Sequence, residues 1–324
     1  MGPFRKACFA IASLIVIGCS SENEASRNTN QLASWAKCTD KLRVCATTPL
    51  IADMVKRVGG DAVAVISLMG SEIDPHSYEI VKGDAEKLSY ASIVFANGLS
   101  LEHSKSMKRA LETHPNTVYV SQAIAKQEII YVGGSPDPHI WMDMDLWAMT
   151  TDPIAKALAK LDPKNQEGYE NRARAVRDSF KRESQSIQKK LQKIPVAKRR
   201  LVTSHDAFNY FAKRYLEVNG DWKSRVIAIQ GLSPEEQISP LEIKRVVEYV
   251  RKYDVDVIFA ETNLSRDSLH KVVDACLRLG QSVRLAKEEL YGDTLGTKSY
   301  LEMMEHNARV IEENLTRSVY DRGA

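Results

Sequence analysis

Four side chains spread along this 324-residue chain have the chemistry of metal ligands. His76 lies in Ile73-Asp74-Pro75-His76-Ser77-Tyr78-Glu79 and His139 in Pro136-Asp137-Pro138-His139-Ile140-Trp141. His205 lies in Thr203-Ser204-His205-Asp206-Ala207-Phe208 and Asp293 in Leu290-Tyr291-Gly292-Asp293-Thr294. Each sits in a polar loop after, or not far past, an apolar strand-like run. Imidazoles suit Zn, Cu, Fe and Ni, whereas carboxylates suit Mg, Ca and Mn. Three imidazoles and one carboxylate make a mixed site for a borderline divalent cation. Ligands so far apart in sequence meet only if the fold brings four loops to one place.

The elements that would position them alternate. Strand-like runs at 42–46, 62–69, 92–96 and 117–120 are interleaved with helix-like segments at 49–58, 83–91 and 101–113. The pattern repeats with strands at 200–203, 225–229, 255–260 and 282–285, and helices at 208–216, 240–253, 266–279 and 298–315. Strands alternating with helices imply βαβ units and parallel sheets. Between the halves, Pro163 to Ile194 reads as one long helix stopped by Pro195, with Tyr169, Ala173, Val176, Phe180, Ile187, Leu191 and Ile194 on one stripe that Ser184 interrupts. A coiled-coil dimer is one reading. A single helix laid along both halves is the other, and it is preferred because the stripe is short and two halves need a connection. The expected fold is therefore α/β: two lobes, each a parallel β-sheet flanked by helices, joined by one long linker helix. The expected boundaries are 41–162 for the first lobe, 163–195 for the linker and 196–324 for the second lobe. In open parallel sheets, ligands bind beyond the carboxyl ends of strands. The four candidate ligands all follow strands, two from each half, and so face one cleft between lobes.

The N-terminus reads as a secretory signal over 1–19: Arg5 and Lys6, a short apolar run from Ala7 to Gly18, then small residues. That run is shorter than the roughly 20 apolar residues a spanning helix needs. Val16-Ile17-Gly18-Cys19 fits a lipobox, whose cysteine carries lipid; an ordinary cleaved signal is the other reading. The polar stretch after Cys19 favours the lipobox and makes 20–40 a tether. The remainder is expected to be a soluble body in the periplasm or cell envelope, anchored through Cys19. A net charge of +3 gives no case for nucleic acid, and Lys198-Arg199-Arg200 reads as a solvated strand edge. Of five cysteines, Cys8 and Cys19 belong to the signal and Cys276 to an apolar helix face. Cys38 and Cys45 are left either paired or free.

The motifs around the four candidates, with Phe259-Ala260-Glu261-Thr262-Asn263, resemble the metal-binding lipoproteins of ABC importers, bacterial solute-binding protein family 9, which includes TroA-, PsaA- and ZnuA-type receptors. The similarity covers nearly all of the chain after the signal and is of the TroA and YtgA type. It implies two α/β lobes joined by a long helix, metal ligation by His76, His139, His205 and Asp293, and Zn2+, Mn2+ or Fe2+ as the transported ligand. It further implies a monomer that docks on a membrane permease and, through it, an ATPase. Departures are the absence of a His-rich loop between Leu101 and Asn116, His205 where manganese-type members often carry Glu, Asn209 in place of a small residue, and Ile80 in place of Pro.

Residue by residue, alternatives stay open. Asp206 stands beside His205 as a rival ligand or as its hydrogen-bond partner. Glu261 ends a strand and rivals Asp293. Trp141 and Tyr78 read as packing, and His103, His114, His270 and His306 as ordinary surface or core histidines. The competing function is an exported metallohydrolase, with His76, His139 and His205 holding a metal-bound water and Asp206 or Glu261 as base. Metal retention is expected to weaken below the ordinary histidine value of about 6.5.

Overall fold

A computed structural model describes residues 32–234, 238–296 and 299–316. The signal, with Cys8 and Cys19, lies outside the described residues. In the first lobe, β1 (Leu42–Ala46), β2 (Val63–Ser67), β3 (Ile93–Ala96) and β4 (Thr117–Tyr119) form one parallel sheet in the order β2-β1-β3-β4. Helices α1 (Pro49–Gly59), α2 (Asp84–Tyr90) and α3 (Lys105–Thr113) connect them. The start of α1 shows why the chain turns helical there: Thr48 Oγ1 accepts the Ile51 N–H, and Pro49 fills the first turn.

A short antiparallel hairpin follows, β5 (Tyr131–Val132) and β6 (Ser135–Pro136). Its turn is Gly133-Gly134, both at positive φ, as a two-residue hairpin turn requires. Two helices absent from the sequence reading come next, α4 (Met144–Met149) and α5 (Thr151–Leu161). The long helix is α6 (Gln166–Leu191), preceded by a 3-10 turn at Pro163–Asn165. The second lobe has β7 (Leu201–Thr203), a short α7 (Asn209–Phe211) running into a π-helical turn at Ala212–Leu216, and β8 (Val226–Ala228). It continues through α8 (Pro240–Lys252), β9 (Val257–Ile258), α9 (Asp267–Arg278), β10 (Arg284–Leu285) and α10 (Tyr300–Thr316). β7 pairs with β8 and β9 with β10, both parallel. A hydrogen bond from Phe259 N to Val202 O (2.8 Å) sets the two pairs side by side.

Side chains on a strand alternate between faces, and that period divides the core. Val44, Ala46, Ile93 and Phe95 of the first sheet join Leu201, Val257 and Phe259 of the second lobe in one shared core. Cys45, Val94 and Ala96 face a separate cluster with Trp35 and Met107, while Val202, Ile258 and Ala260 face the cluster under α8 and α9. Helix α6 runs through the shared core against α1, α4, α5 and α10, burying Tyr169, Ala173, Phe180, Ile187 and Leu191. Its stripe is thus satisfied within one chain, which is the single-helix reading. Ser184 does not interrupt the buried face: it is itself buried, 3.2 Å from the Tyr215 hydroxyl.

One expectation changes and one open alternative closes. Residues 32–36, placed in the tether, are helical, and the Trp35 indole N–H donates to Ala64 O on β2 (2.8 Å). The packed body therefore reaches back past residue 41. Cys38 and Cys45 are both free: Cys45 is buried within β1, whereas Cys38 lies on the preceding loop with its thiol 3.2 Å from Asp40 Oδ1.

Candidate metal centre

The Asp-Pro-His motif builds the same local turn twice. Asp74 Oδ1 accepts the His76 backbone N–H (2.9 Å), and Asp137 Oδ1 accepts that of His139 (2.9 Å). Short-range bonding of an aspartate to the amide two residues on is the Asx turn, and the intervening proline stiffens it. His76 follows β2, His139 follows the hairpin after β4, His205 follows β7 directly, and Asp293 follows β10. All four expected residues converge at the carboxyl ends of the strands, between the lobes, and all four are buried.

Their geometry is that of a ligand shell. His76 Nε2 lies 3.2 Å from His139 Nε2. Asp293 Oδ1 is 3.3 Å from His139 Nε2, and Oδ2 is 3.5 Å from His76 Nε2 and 3.1 Å from His205 Nε2. Ligands about 2.0–2.1 Å from a tetrahedral ion stand roughly 3.3 Å apart. Apart from the three imidazoles, no group donates to either buried carboxylate oxygen of Asp293. A buried anion is costly unless positive charge, on the imidazoles or on a bound cation, meets it.

Behind two of the histidines stand carboxylates in the same arrangement. Asp137 Oδ1 is 2.7 Å from His139 Nδ1. Glu261 Oε1 accepts the His205 backbone N–H (2.9 Å), and its Oε2 lies 2.6 Å from His205 Nδ1, off the ideal hydrogen-bonding direction. Such partners hold Nδ1 and leave Nε2 for the metal. Glu261 therefore stands behind the shell rather than rivalling Asp293. It also takes the place behind His205 that the sequence reading offered to Asp206. Trp141 packs edge-on against His139 (5.2 Å between ring centres) and donates its indole N–H to Gly292 O (2.9 Å), tying the His139 loop to the Asp293 loop. His103, read as an ordinary histidine, lies close by, 6.2 Å from His76 between ring centres. His114 and His306 lie against the backbone carbonyls of Ala91 and Glu289, away from the centre.

The charges oppose one another strongly. Burial disfavours charge on His139, yet Asp137 and Asp293 outweigh it and push the imidazole up to about 9. Burial acts the same way on His205, where Asp293 and Glu261 outweigh it and hold the group well above its usual range. His76 has no carboxylate behind its ring; burial, which the facing imidazoles reinforce, pulls it down to about 3 against the pull of Asp293. Burial would raise Asp293, but His205, His76 and His139 hold it well below the ordinary carboxylate range. The metal-free arrangement therefore favours protons on His139 and His205 and disfavours one on His76.

A cation must displace those protons. Binding Zn(II) at pH 7 is expected to release about two protons, read by calorimetry in buffers of different ionisation enthalpy. Affinity should fall as pH falls through about 9, where His139 takes up its proton, and the raised His205 should steepen that fall. The window thus opens above the ordinary histidine value that the sequence alone suggests. The sign follows from the raised groups: their protons stabilise the metal-free fold below about 6.5, and the part held by His139 is lost as pH rises through about 9. Binding with no proton release would contradict this charge arrangement.

Residues 44–314 match the family described as zinc-uptake complex component A, periplasmic (ZnuA). The chain belongs to this family. Over 317 residues it is 38% identical to the metal-binding protein YtgA of Chlamydia trachomatis serovar D, covering 95% of each chain. It is 29% identical to the manganese-binding lipoprotein MntA of Bacillus subtilis, covering 95% of this chain and 98% of that one. The crystal structure of Fe(III)-bound YtgA from Chlamydia trachomatis superposes with a TM-score of 0.81 at 39% identity, covering 86% of this chain and 99% of the other. Membership agrees with the two lobes and the long helix between them. Among the described residues no helix is long and apolar enough to cross a membrane.

Proposed function

We propose that His76, His139, His205 and Asp293 bind one divalent transition-metal ion as cargo, and that this chain delivers it to the membrane permease of an ABC importer driven by an ATPase subunit. The family is one of transport substrate-binding proteins. The observation that carries the ligand assignment is the pair of buried Asp293 oxygens, which face three Nε2 atoms and meet no other donor. Asp293 turns both oxygens inward, so the shell offers four ligands to Zn(II) and a fifth oxygen to Mn(II) or iron. Zinc, manganese and Fe(III) each appear in the names of this family or its relatives. Imidazole-rich donors bind Zn(II) more tightly than Mn(II) in the general order of divalent ions. The lipoprotein relative supports an envelope location with Cys19 as the lipid anchor.

The metallohydrolase reading loses one of its two candidate bases. Glu261 is engaged behind His205 and does not face the position a metal-bound water would occupy. The deciding experiment is elemental analysis of purified protein after loading and dialysis, alongside assays with ester and phosphate substrates. One equivalent of metal without turnover is expected, and His139→Ala should lose most of that metal while keeping its circular-dichroism spectrum. Unchanged stoichiometry in that variant would remove His139 from the site.

A further inference from the structure

Asn209 lies four residues after His205, at the start of α7, and is buried. Its amide donates to Asp137 Oδ2 (3.0 Å) and to the Asp206 carbonyl (3.3 Å). The other oxygen of Asp137 is the one that holds His139, at both its backbone N–H and Nδ1. The next residue grips the same segment: the Tyr210 hydroxyl donates to Asp137 O (3.1 Å) and accepts from Ile130 N (3.1 Å). One turn of the second lobe thus holds both the carboxylate and the carbonyl of the residue that orients a histidine of the first lobe. That turn then passes into the π-helical turn at Ala212–Leu216, a geometry found frequently at functional sites.

We propose that Asn209 is a positioning residue that ties the His139 loop to the His205 loop through Asp137 and thereby sets how fast metal leaves. The inference rests on the four-ligand site. Separating the lobes far enough to free an ion draws the two loops apart and breaks the Asn209–Asp137 bond. Asp137 is wholly buried in this closed arrangement, so opening gives up a bond made away from water. The cost therefore falls on opening, and hence on release more than on capture.

The test is stopped-flow transfer of Zn(II) from loaded protein to an excess of chromogenic chelator, together with the rate of Zn(II) capture. Asn209→Ala should release Zn(II) about tenfold faster, the low end of what removing a partner behind a metal ligand costs, with capture little changed. Asn209→Leu fills the space without a donor and should match Asn209→Ala. Asn209→Asp, which sets a carboxylate against Asp137, should release faster still. Metal-free melting of each variant shows whether it folds, and any one that folds decides the matter. A leucine variant that behaves like the parent would reduce Asn209 to packing and overturn the proposal. So would unchanged release from the alanine variant, measured against a parent that binds one equivalent, leaving the site itself standing. A parent that takes up no Zn(II) would sink both.

Discussion

Asp293→Asn should lower Zn(II) affinity by about 100- to 1000-fold. Structural zinc sites bind with roughly 10–16 kcal/mol, so one of four ligands carries about 3–4 kcal/mol, and each 1.4 kcal/mol is tenfold. The charge argument points the same way. Asp293 is the carboxylate facing all three Nε2 atoms, and it lies among the groups that set the charge on His139 and His205. The amide keeps the shape of the side chain and removes the anion. At a fixed free Zn(II) concentration, metal-dependent stabilisation should shrink by about 2.7–4.1 kcal/mol, the linkage equivalent of that loss. Chelator competition and the metal-dependent part of the melting curve both read it. Affinity within a few-fold of the parent would place the ion elsewhere.

Gly292→Ala should be nearly as damaging although it touches no ligand atom. A Cβ there would lie 2.1 Å from Glu261 Oε2 and 3.1 Å from His205 Cε1. Glu261 cannot retreat without releasing His205 N and Nδ1, which it holds from behind. The Gly292 backbone is pinned in turn by the Trp141 indole. The expected outcome is roughly a 100-fold loss of Zn(II) affinity, the upper range for losing a partner behind a ligand, with about 1–3 kcal/mol of overpacking cost to stability. Gly231→Ala is the matched control, since nothing lies within 4 Å of its Cβ position. Equal metal affinity in the two variants would mean that Glu261 is not needed to position His205.

The four candidate ligands were legible because each lies in a short motif with its own local logic. Asp-Pro-His is an Asx turn stiffened by proline, and it recurs at His76 and His139. The long helix was legible from periodicity, and so was its place inside one chain. The carboxylates behind the rings were harder. Asp206 adjoins His205 in sequence, yet Glu261 is its neighbour in space, because the end of β9 lies beside β7. Adjacency along a chain says little about adjacency across a sheet. Asp137 stood in plain view two residues before His139, and its role could have been read from that spacing. Helices α4 and α5 were missed for a different reason. Pro153 reads as a breaker but lies in the first turn of α5, where no intrahelical donor is lost. The nearly all-buried run from Ile140 to Ala148 shows no amphipathic period to detect. Ser184 looked like a gap in the stripe of α6 because a buried serine is recognisable only with its partner, Tyr215.

The most direct measurement is a crystal of metal-loaded protein with anomalous diffraction recorded at the zinc, manganese and iron edges. One peak is predicted between the lobes, about 2.0–2.2 Å from Nε2 of His76, His139 and His205 and from the Asp293 carboxylate. A peak bound by other side chains, or these four turned to separate surfaces around it, would contradict the cargo site.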